Sequence, residues 1–266
     1  MKFLSKKHIF TCKQSNIDVF PNCLSSDYRL AASRLNIGFP MKVSTRLLCS
    51  LLLLASSAVA WADDFLDGVD SYEKKDYASA LKLFKKAAKK GNSDAQFNLG
   101  LMYVNGEGVK RDYDQALRWY EQSAVQGNAR AQLNYGRMFA KGLGVSQDYD
   151  QARAWYRKSA AQGYPDAEYT LGIMYFTGIG AVQNFAQAES WFRKAALKGN
   201  ASSQHYLGLM YFRGNGVAQD DVEALKWFIL ADGYKDALEY REYAEAKMSK
   251  EQIAQAKKLA EEWRPN

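Results

Sequence analysis

The sequence contains no cysteine after residue 49, because its three cysteines are Cys12, Cys23 and Cys49. The long remainder can therefore form no disulfide, offers no thiolate ligand for a metal and has no cysteine nucleophile. From residue 63 onward it also holds a single histidine, His205, so a histidine-based metal site cannot be assembled there. We predict a protein without a metal or other cofactor.

A broad excess of positive charge is also missing. The formal net charge is +7, but residues 1–62 contain eight of the 36 Lys and Arg residues and two of the 29 Asp and Glu residues. The rest of the chain is therefore nearly neutral and offers no global field that could hold a polyanion. We predict that nucleic acid is not a partner.

No apolar run near the amino terminus is long enough to span a bilayer, which takes roughly 20 residues. The run Leu47–Leu54 follows a short basic segment, Met41–Arg46, and precedes small residues that end at Ala62. This is the three-part pattern of a secretory signal, so we predict a periplasmic or secreted protein cleaved near Ala62, within Ala60–Ala62, with no stable membrane span afterwards. An uncleaved membrane anchor is the alternative. Residues 1–40 are either a genuine long leader or an extension upstream of a true start at Met41.

The sequence does contain an internal repeat of 36 residues, and such a period is typical of stacked helical arrays. It defines four copies: 93–128, 129–164, 165–200 and 201–236. The positions in phase include Gly100, Gly136, Gly172 and Gly208; Met102, Met138, Met174 and Met210; and Trp119, Trp155, Trp191 and Trp227.

Each copy is predicted to form a helix, a glycine loop and a second helix. In the first copy the apolar residues Ala95, Leu99 and Met102 follow helical spacing, and Gly106 begins a loop that ends this helix. Asp112 is placed to cap the second helix, and Asn128 to cap the first helix of the next copy. We interpret the small residues at positions such as Gly100 and Ala116 as contacts where the paired helices approach closely.

The two ends depart from this pattern. Residues 63–92 read as a related helix pair with a shorter loop. The pattern fades after Ala231, and residues 237–266 read as capping helices, the last of them beginning after Ser249. Atypical ends are expected of a solenoid, because each end covers a core face that water would otherwise reach.

The repeated residues resemble the Sel1-like repeats, relatives of the tetratricopeptide repeat. The pattern Ala-x4-Gly-x-Met-Tyr-x2-Gly-x-Gly-Val-x3-Asp-x3-Ala-x2-Trp-Tyr-x3-Ala-x2-Gly stands almost intact in residues 95–127 and recurs with substitutions in 131–163, 167–199 and 203–231. The departures include Phe139, Ala181, Asn184 and Ser203. The resemblance implies an all-α, right-handed α-solenoid that serves as an adaptor or scaffold, often exported in bacteria.

The same resemblance implies that one face of each first helix lines a concave groove. Four positions of each copy, spaced i, i+4, i+7 and i+11, share that face and vary between copies. We predict that a protein or peptide partner binds there, contacting Asp94, Asn98, Leu101, Arg130, Asn134, Arg137, Lys141, Thr170, Ile173, Tyr206 and Arg213. Arg130, Arg137 and Lys141 would form a basic centre that could clamp an acidic group. A solvated face without a ligand is the competing interpretation.

Other candidate residues favour structural roles. We interpret the tryptophan series as core packing rather than a ligand cage. His205 has no evident nucleophile beside it, which favours a surface or packing role over catalysis. We therefore expect a monomeric, non-enzymatic adaptor. The alternative is a cell-wall-ligand or β-lactam-interacting hydrolase, but this chain lacks the cysteine pairs of the family members linked to β-lactams.

Overall fold

The computed structural model describes residues 64–234 and 236–263, and all regular structure within these residues is α-helical. The predicted leader and secretory signal lie outside the described residues. An amino-terminal pair consists of α1, described over 64–73, and α2 (Tyr77–Lys89). Four further pairs follow, and two helices close the carboxy-terminal end.

The first helices of the four repeats are α3 (Ser93–Asn105), α5 (Ala129–Lys141), α7 (Pro165–Thr177) and α9 (Ala201–Arg213). The second helices are α4 (Tyr113–Val125), α6 (Tyr149–Ala161), α8 (Phe185–Ala196) and α10 (Asp221–Leu230). The closing helices are α11 (Ala237–Glu245) and α12 (Lys250–Glu261), and both pack on α10. Because each repeat helix packs mainly on its neighbours in the chain, the predicted all-α solenoid of stacked pairs is confirmed.

Helix ends lie where side chains can satisfy the free backbone groups. Asp112 accepts a hydrogen bond from the Gln115 amide at the start of α4, and Asn128 accepts one from the Ala131 amide at the start of α5. Ser249 caps α12 with a reciprocal capping box. These three predicted caps are confirmed.

The repeated glycines set the spacing of the stack. A Cβ atom on Gly100 would lie 2.5 Å from the ring of Tyr120, so glycine there lets the two helices of a repeat approach closely. The loop residue Gly108 has a φ of +65°, and its Cβ would lie 2.6 Å from the carbonyl oxygen of Tyr77, in the preceding pair. Gly100 thus allows close packing of the two helices within a repeat, and Gly108 allows close packing between neighbouring pairs.

The core runs along the stack as a series of small clusters. Trp119, Trp155 and Trp191 are half-buried against it, whereas Trp227 is fully buried and meets Trp263, with ring centroids 5.0 Å apart. Three tryptophans of the series therefore pack against the core, and the fourth lies within it. None of the described helices is long and apolar enough to cross a membrane.

Candidate functional site

The candidate site is one face of the first helices of the four repeats, which we call the first-helix face. It consists of Asp94, Asn98, Leu101 and Asn105 in α3; Arg130, Asn134, Arg137 and Lys141 in α5; Asp166, Thr170, Ile173 and Thr177 in α7; and Ser202, Tyr206, Leu209 and Arg213 in α9. The adjacent core positions are buried, while these residues are half-buried or exposed, apart from the buried Leu209. The face is thus accessible along the four helices.

Arg130 does not add unbalanced charge to this face. Its guanidinium lies 2.7 Å from the carboxylate of Asp94, which occupies the equivalent position one repeat earlier, and 4.7 Å from the centre of the Phe97 ring. Asn128 donates a second hydrogen bond of 2.8 Å to the same Asp94 oxygen. Arg130 therefore joins the first and second repeats, and the positive character of the predicted basic centre depends on Arg137 and Lys141.

Arg137 is held in place by its own helix. It donates a 3.1 Å hydrogen bond to the side-chain oxygen of Asn134, whose amide nitrogen lies 3.5 Å from the hydroxyl of Tyr120 in α4. Lys141, one turn further along α5, is exposed. This arrangement fixes one guanidinium near the centre of the face and leaves a second cation on a long, solvated side chain.

Three phenols lie within electrostatic reach of Arg137. Burial raises the pKa values of Tyr120, Tyr156 and Tyr169 above the usual range, to about 12 for Tyr156, and the positive charge of Arg137 partly offsets this in each. All three phenols stay neutral at physiological pH, and they come from α4, α6 and α7. The charge of Arg137 therefore acts on neutral hydroxyl groups from three different helices.

The face becomes aromatic toward α9. The Tyr206 ring stacks on Phe192 at 5.1 Å and lies 5.9 Å from Tyr169 and 5.4 Å from Phe176. Tyr206 was among the predicted residues, whereas Tyr169 was not. The residue at the Tyr169 position varies between copies, being Phe97, Leu133 and His205 elsewhere, and this variation is the signal that could have identified it.

Several members of the face are already engaged by contacts within the protein. The hydroxyls of Thr170 and Thr177 donate to backbone carbonyls one turn earlier in α7. Leu101 and Ile173 pack at the edge of the core clusters. Arg213 donates a 3.3 Å hydrogen bond to the Tyr240 hydroxyl in α11, so the closing helices reach the last part of the face. Asn98 is half-buried in α3.

His205 lies next to the face and is buried, with 3% of its surface exposed. Its ring lies 4.6 Å from that of Tyr234 and 5.4 Å from that of Tyr240, between the last repeat and the closing helices. Burial lowers its pKa to about 4; the Asp236 carboxylate opposes this shift and Arg213 reinforces it. The structure therefore gives His205 a packing position.

The first-helix face brings together two cations with side-chain amides, phenols and aromatic rings. Arg137 and Lys141 can attract an anion, and amides, phenols and aromatic rings can contact an extended chain. Among the described residues, no group of three or more His, Cys, Asp or Glu side chains is placed to hold a metal ion.

Comparison with known proteins identifies the repeat. The family model described as Sel1 repeat matches residues 58–92, 93–128, 129–164, 165–200 and 201–231. The last four matches begin where the four predicted copies begin, and the first covers the pair predicted as a related unit with a shorter loop. A search of curated proteins finds no match.

Two solved structures are similar in both sequence and fold. One is a protective antigen of uropathogenic Escherichia coli strains that displays an SLR fold, with 35% identity and a TM-score of 0.70 over 79% of this chain and 47% of the antigen. This chain therefore spans about half the length of that antigen. The other is a Sel1 repeat protein from Oxalobacter formigenes, with 32% identity and a TM-score of 0.66 over 74% of this chain and 83% of that protein.

Proposed function

The chain belongs to the Sel1 repeat family, and from that membership we propose that it is an exported scaffold that binds an extended protein segment along the first-helix face. Sel1 repeat proteins are in general protein-interaction modules and typically non-enzymatic. The proposal adds a location, a partner chemistry and a compartment to that general role.

One observation carries the proposed location. Residues that vary between copies, and are therefore not needed to hold the stack, lie on the same face of the first helices of all four repeats, and all but Leu209 are half-buried or exposed. A repeat array that specifies a ligand is expected to vary on its binding surface while its packing residues stay constant. The polar groups around Arg137 and the aromatic rings around Tyr206 then form two adjacent stretches of one surface.

The charges favour an acidic group in the partner. Arg130 is compensated by Asp94, but the described residues offer no ion-pair partner within 4 Å for the exposed Lys141. An acidic side chain or a terminal carboxylate could approach Lys141 and Arg137 together, and charge-assisted hydrogen bonds of this kind are the stronger ones. Peptide amides would be met by the side-chain amides of Asn98 and Asn134, which lie at equivalent positions 36 residues apart.

Binding is tested by crosslinking the full chain to its partners in the cells that express it, with two charge-reversal variants. Arg137→Glu with Lys141→Glu should reduce capture of a specific partner about tenfold or more, because reversing a contacting charge replaces attraction with repulsion. A control pair, Lys110→Glu with Arg118→Glu, changes the net charge equally on exposed residues outside the first-helix face and should keep the partner. Both variants must retain native helicity by circular dichroism.

Equal capture by the native protein and both variants would refute the proposed surface, as would capture of no protein. Arg130 is left unchanged in this design because its loss would remove the ion pair with Asp94 and disturb the junction between two repeats.

Export is tested separately by fractionating cells and sequencing the amino terminus of the protein. The basic, apolar and small-residue segments from Met41 to Ala62 support cleavage by a signal peptidase. We expect a protein outside the cytoplasm whose chain begins at Asp63 or within two residues of it. Recovery of an uncleaved chain from the cytoplasmic fraction would refute export.

A further inference from the structure

The junctions between repeats are held by side-chain hydrogen bonds that recur along the stack. Where the first and second repeats meet, Asn128 donates to Asp94 at 2.8 Å and Gln132 donates to the Ala124 carbonyl at 3.1 Å. Where the third and fourth repeats meet, the equivalent bonds run from Asn200 to Asp166 at 3.1 Å and from Gln204 to the Ala196 carbonyl at 3.3 Å. Each junction is thus tied by one amide-to-carboxylate bond and one buried amide-to-backbone bond.

The junction between the second and third repeats cannot form either bond, because three residues differ. Tyr164 replaces the capping asparagine and makes no side-chain cap for α7. Arg130 stands where the other junctions have the accepting aspartate. Glu168 replaces the buried glutamine, and an ionised carboxylate has no hydrogen to donate to the backbone carbonyl of the preceding repeat.

Glu168 is instead held by a lysine. Its carboxylate is 3% exposed, and one oxygen lies 2.6 Å from the ammonium of Lys198, while the other oxygen has no hydrogen-bond partner among the residues that the structure describes. Lys198 also donates to the Gly163 carbonyl in the second repeat at 2.9 Å, so it connects the two sides of the junction. The same pair of positions in the first and second repeats holds two glutamines, which bond each other at 2.6 and 2.8 Å.

Two further side-chain hydrogen bonds across this junction come from long cationic side chains. Arg153 donates to the Gly180 carbonyl, and the exposed Arg157 donates to the Tyr175 hydroxyl at 2.8 Å. Long side chains lose rotamer freedom when they are fixed, and their charge interactions are screened by salt when they lie near solvent. Arg193 and Tyr211 repeat the second of these bonds between the third and fourth repeats. This junction therefore differs from the other two by the loss of both recurring amide bonds and by a buried carboxylate that a partly exposed lysine holds.

We propose that the junction between the second and third repeats is the joint at which the solenoid opens, and that the Glu168–Lys198 pair is its latch. In a stack where each repeat contacts only its neighbours, the weakest interface decides where the array separates. Removing the charge of Lys198 leaves a buried carboxylate without its cation, a state that is strongly unfavourable until water reaches it. Opening the joint hydrates Glu168.

The joint also divides the first-helix face. Arg137 in α5 lies on one side of it, and Tyr169 in α7 lies on the other, within reach of the charge of Arg137. Opening therefore changes the distance between the basic and the aromatic stretches of that face, whether or not a partner is bound.

Amide hydrogen exchange of the full chain, read by mass spectrometry, tests the joint without a ligand. We expect residues 168–171 in α7 to exchange about tenfold faster than residues 132–135 in α5 and 204–207 in α9, which occupy the same positions in their helices. Lys198→Gln should increase exchange in α7 by a further factor of about ten, whereas Lys198→Arg should stay close to the native rate. Glu168→Gln with Lys198→Gln recreates the glutamine pair of the first and second repeats and should slow α7 to the level of α5.

A matched control copies the latch to another junction. Gln132→Glu with Gln162→Lys should make α5 exchange fast as well, while α7 stays fast and α9 is unchanged. Equal exchange of the three helices in the native protein would overturn the proposal. So would a Lys198→Gln variant in which α3 and α12 accelerate as much as α7, because that result signifies general destabilisation rather than a joint.

Discussion

The packing of His205 makes stability depend on pH in a way that one substitution can isolate. His205 is buried among the rings of Tyr206, Phe228, Tyr234 and Tyr240. The charged groups that act on it are Asp236 and Arg213, which oppose each other, so burial decides its ionisation and lowers the pKa from 6.5 to about 4. The folded protein therefore binds a proton at His205 less readily than the unfolded chain does.

The direction in which stability changes with pH follows from this difference in proton binding. A group whose pKa is lower in the folded state stabilises the fold above its unfolded value and loses that stabilisation as the pH falls toward its folded value. One pKa unit corresponds to roughly 1.4 kcal/mol, so lowering the pH from 7.5 to 4.5 should cost about 2.5 kcal/mol through His205 alone. Most of that loss should occur below pH 6.5.

Carboxylates also titrate in this range, so the assay compares the native protein with His205→Leu. Leucine is the residue that the second repeat carries at the equivalent position, where Leu133 is 2% exposed. Urea unfolding would be followed by tryptophan fluorescence, which reports on Trp227 and Trp263 beside the closing helices. The free energy of unfolding of the native protein, minus that of His205→Leu at the same pH, should fall by about 2.5 kcal/mol between pH 7.5 and pH 4.5. A difference that stays constant with pH would refute the assigned burial.

Two further predictions concern the stack itself. Gly172→Ala should destabilise the protein by about 1–3 kcal/mol in thermal unfolding, because the added Cβ would lie 2.5 Å from the ring of Phe192. Adding Phe192→Leu to the same chain should recover part of that loss, and losses that simply add would contradict this reasoning. Asn128→Ala should lower the free energy of unfolding by about 1–2 kcal/mol, and by more than Asn92→Ala does. Both residues cap a helix, but Asn128 also donates a hydrogen bond to Asp94. Equal losses in urea titrations would show that this second bond contributes nothing.

Much of the architecture could be predicted from residues that act locally. The caps at Asp112, Asn128 and Ser249 lie where their side-chain types predicted them. Helical spacing and the recurring glycines were enough to predict four helix pairs, because the apolar stripes and helix ends repeat in register. The relatedness of the amino-terminal pair was also visible despite its shorter loop.

The predicted interaction face could be located only in part. The spacing rule selected positions that are half-buried or exposed, but it also included Leu209, which is buried, and it omitted Tyr169. It grouped Arg130 with Arg137 and Lys141 because the three share one helix face. The position of Asp94 changed that grouping, since a side chain 36 residues earlier neutralises one of the three charges.

The sequence by itself therefore determined the number of helix pairs, their register and the face that varies, because these depend on neighbours within one or two helical turns. The tertiary structure decided which charges are compensated, which tyrosines surround Arg137 and whether His205 is exposed. Each of these depends on contacts between side chains 14 to 36 residues apart in the sequence, or on closing helices that carry no repeat pattern. Stacking brings such residues together, and the energy of a charge or a ring depends on what then surrounds it.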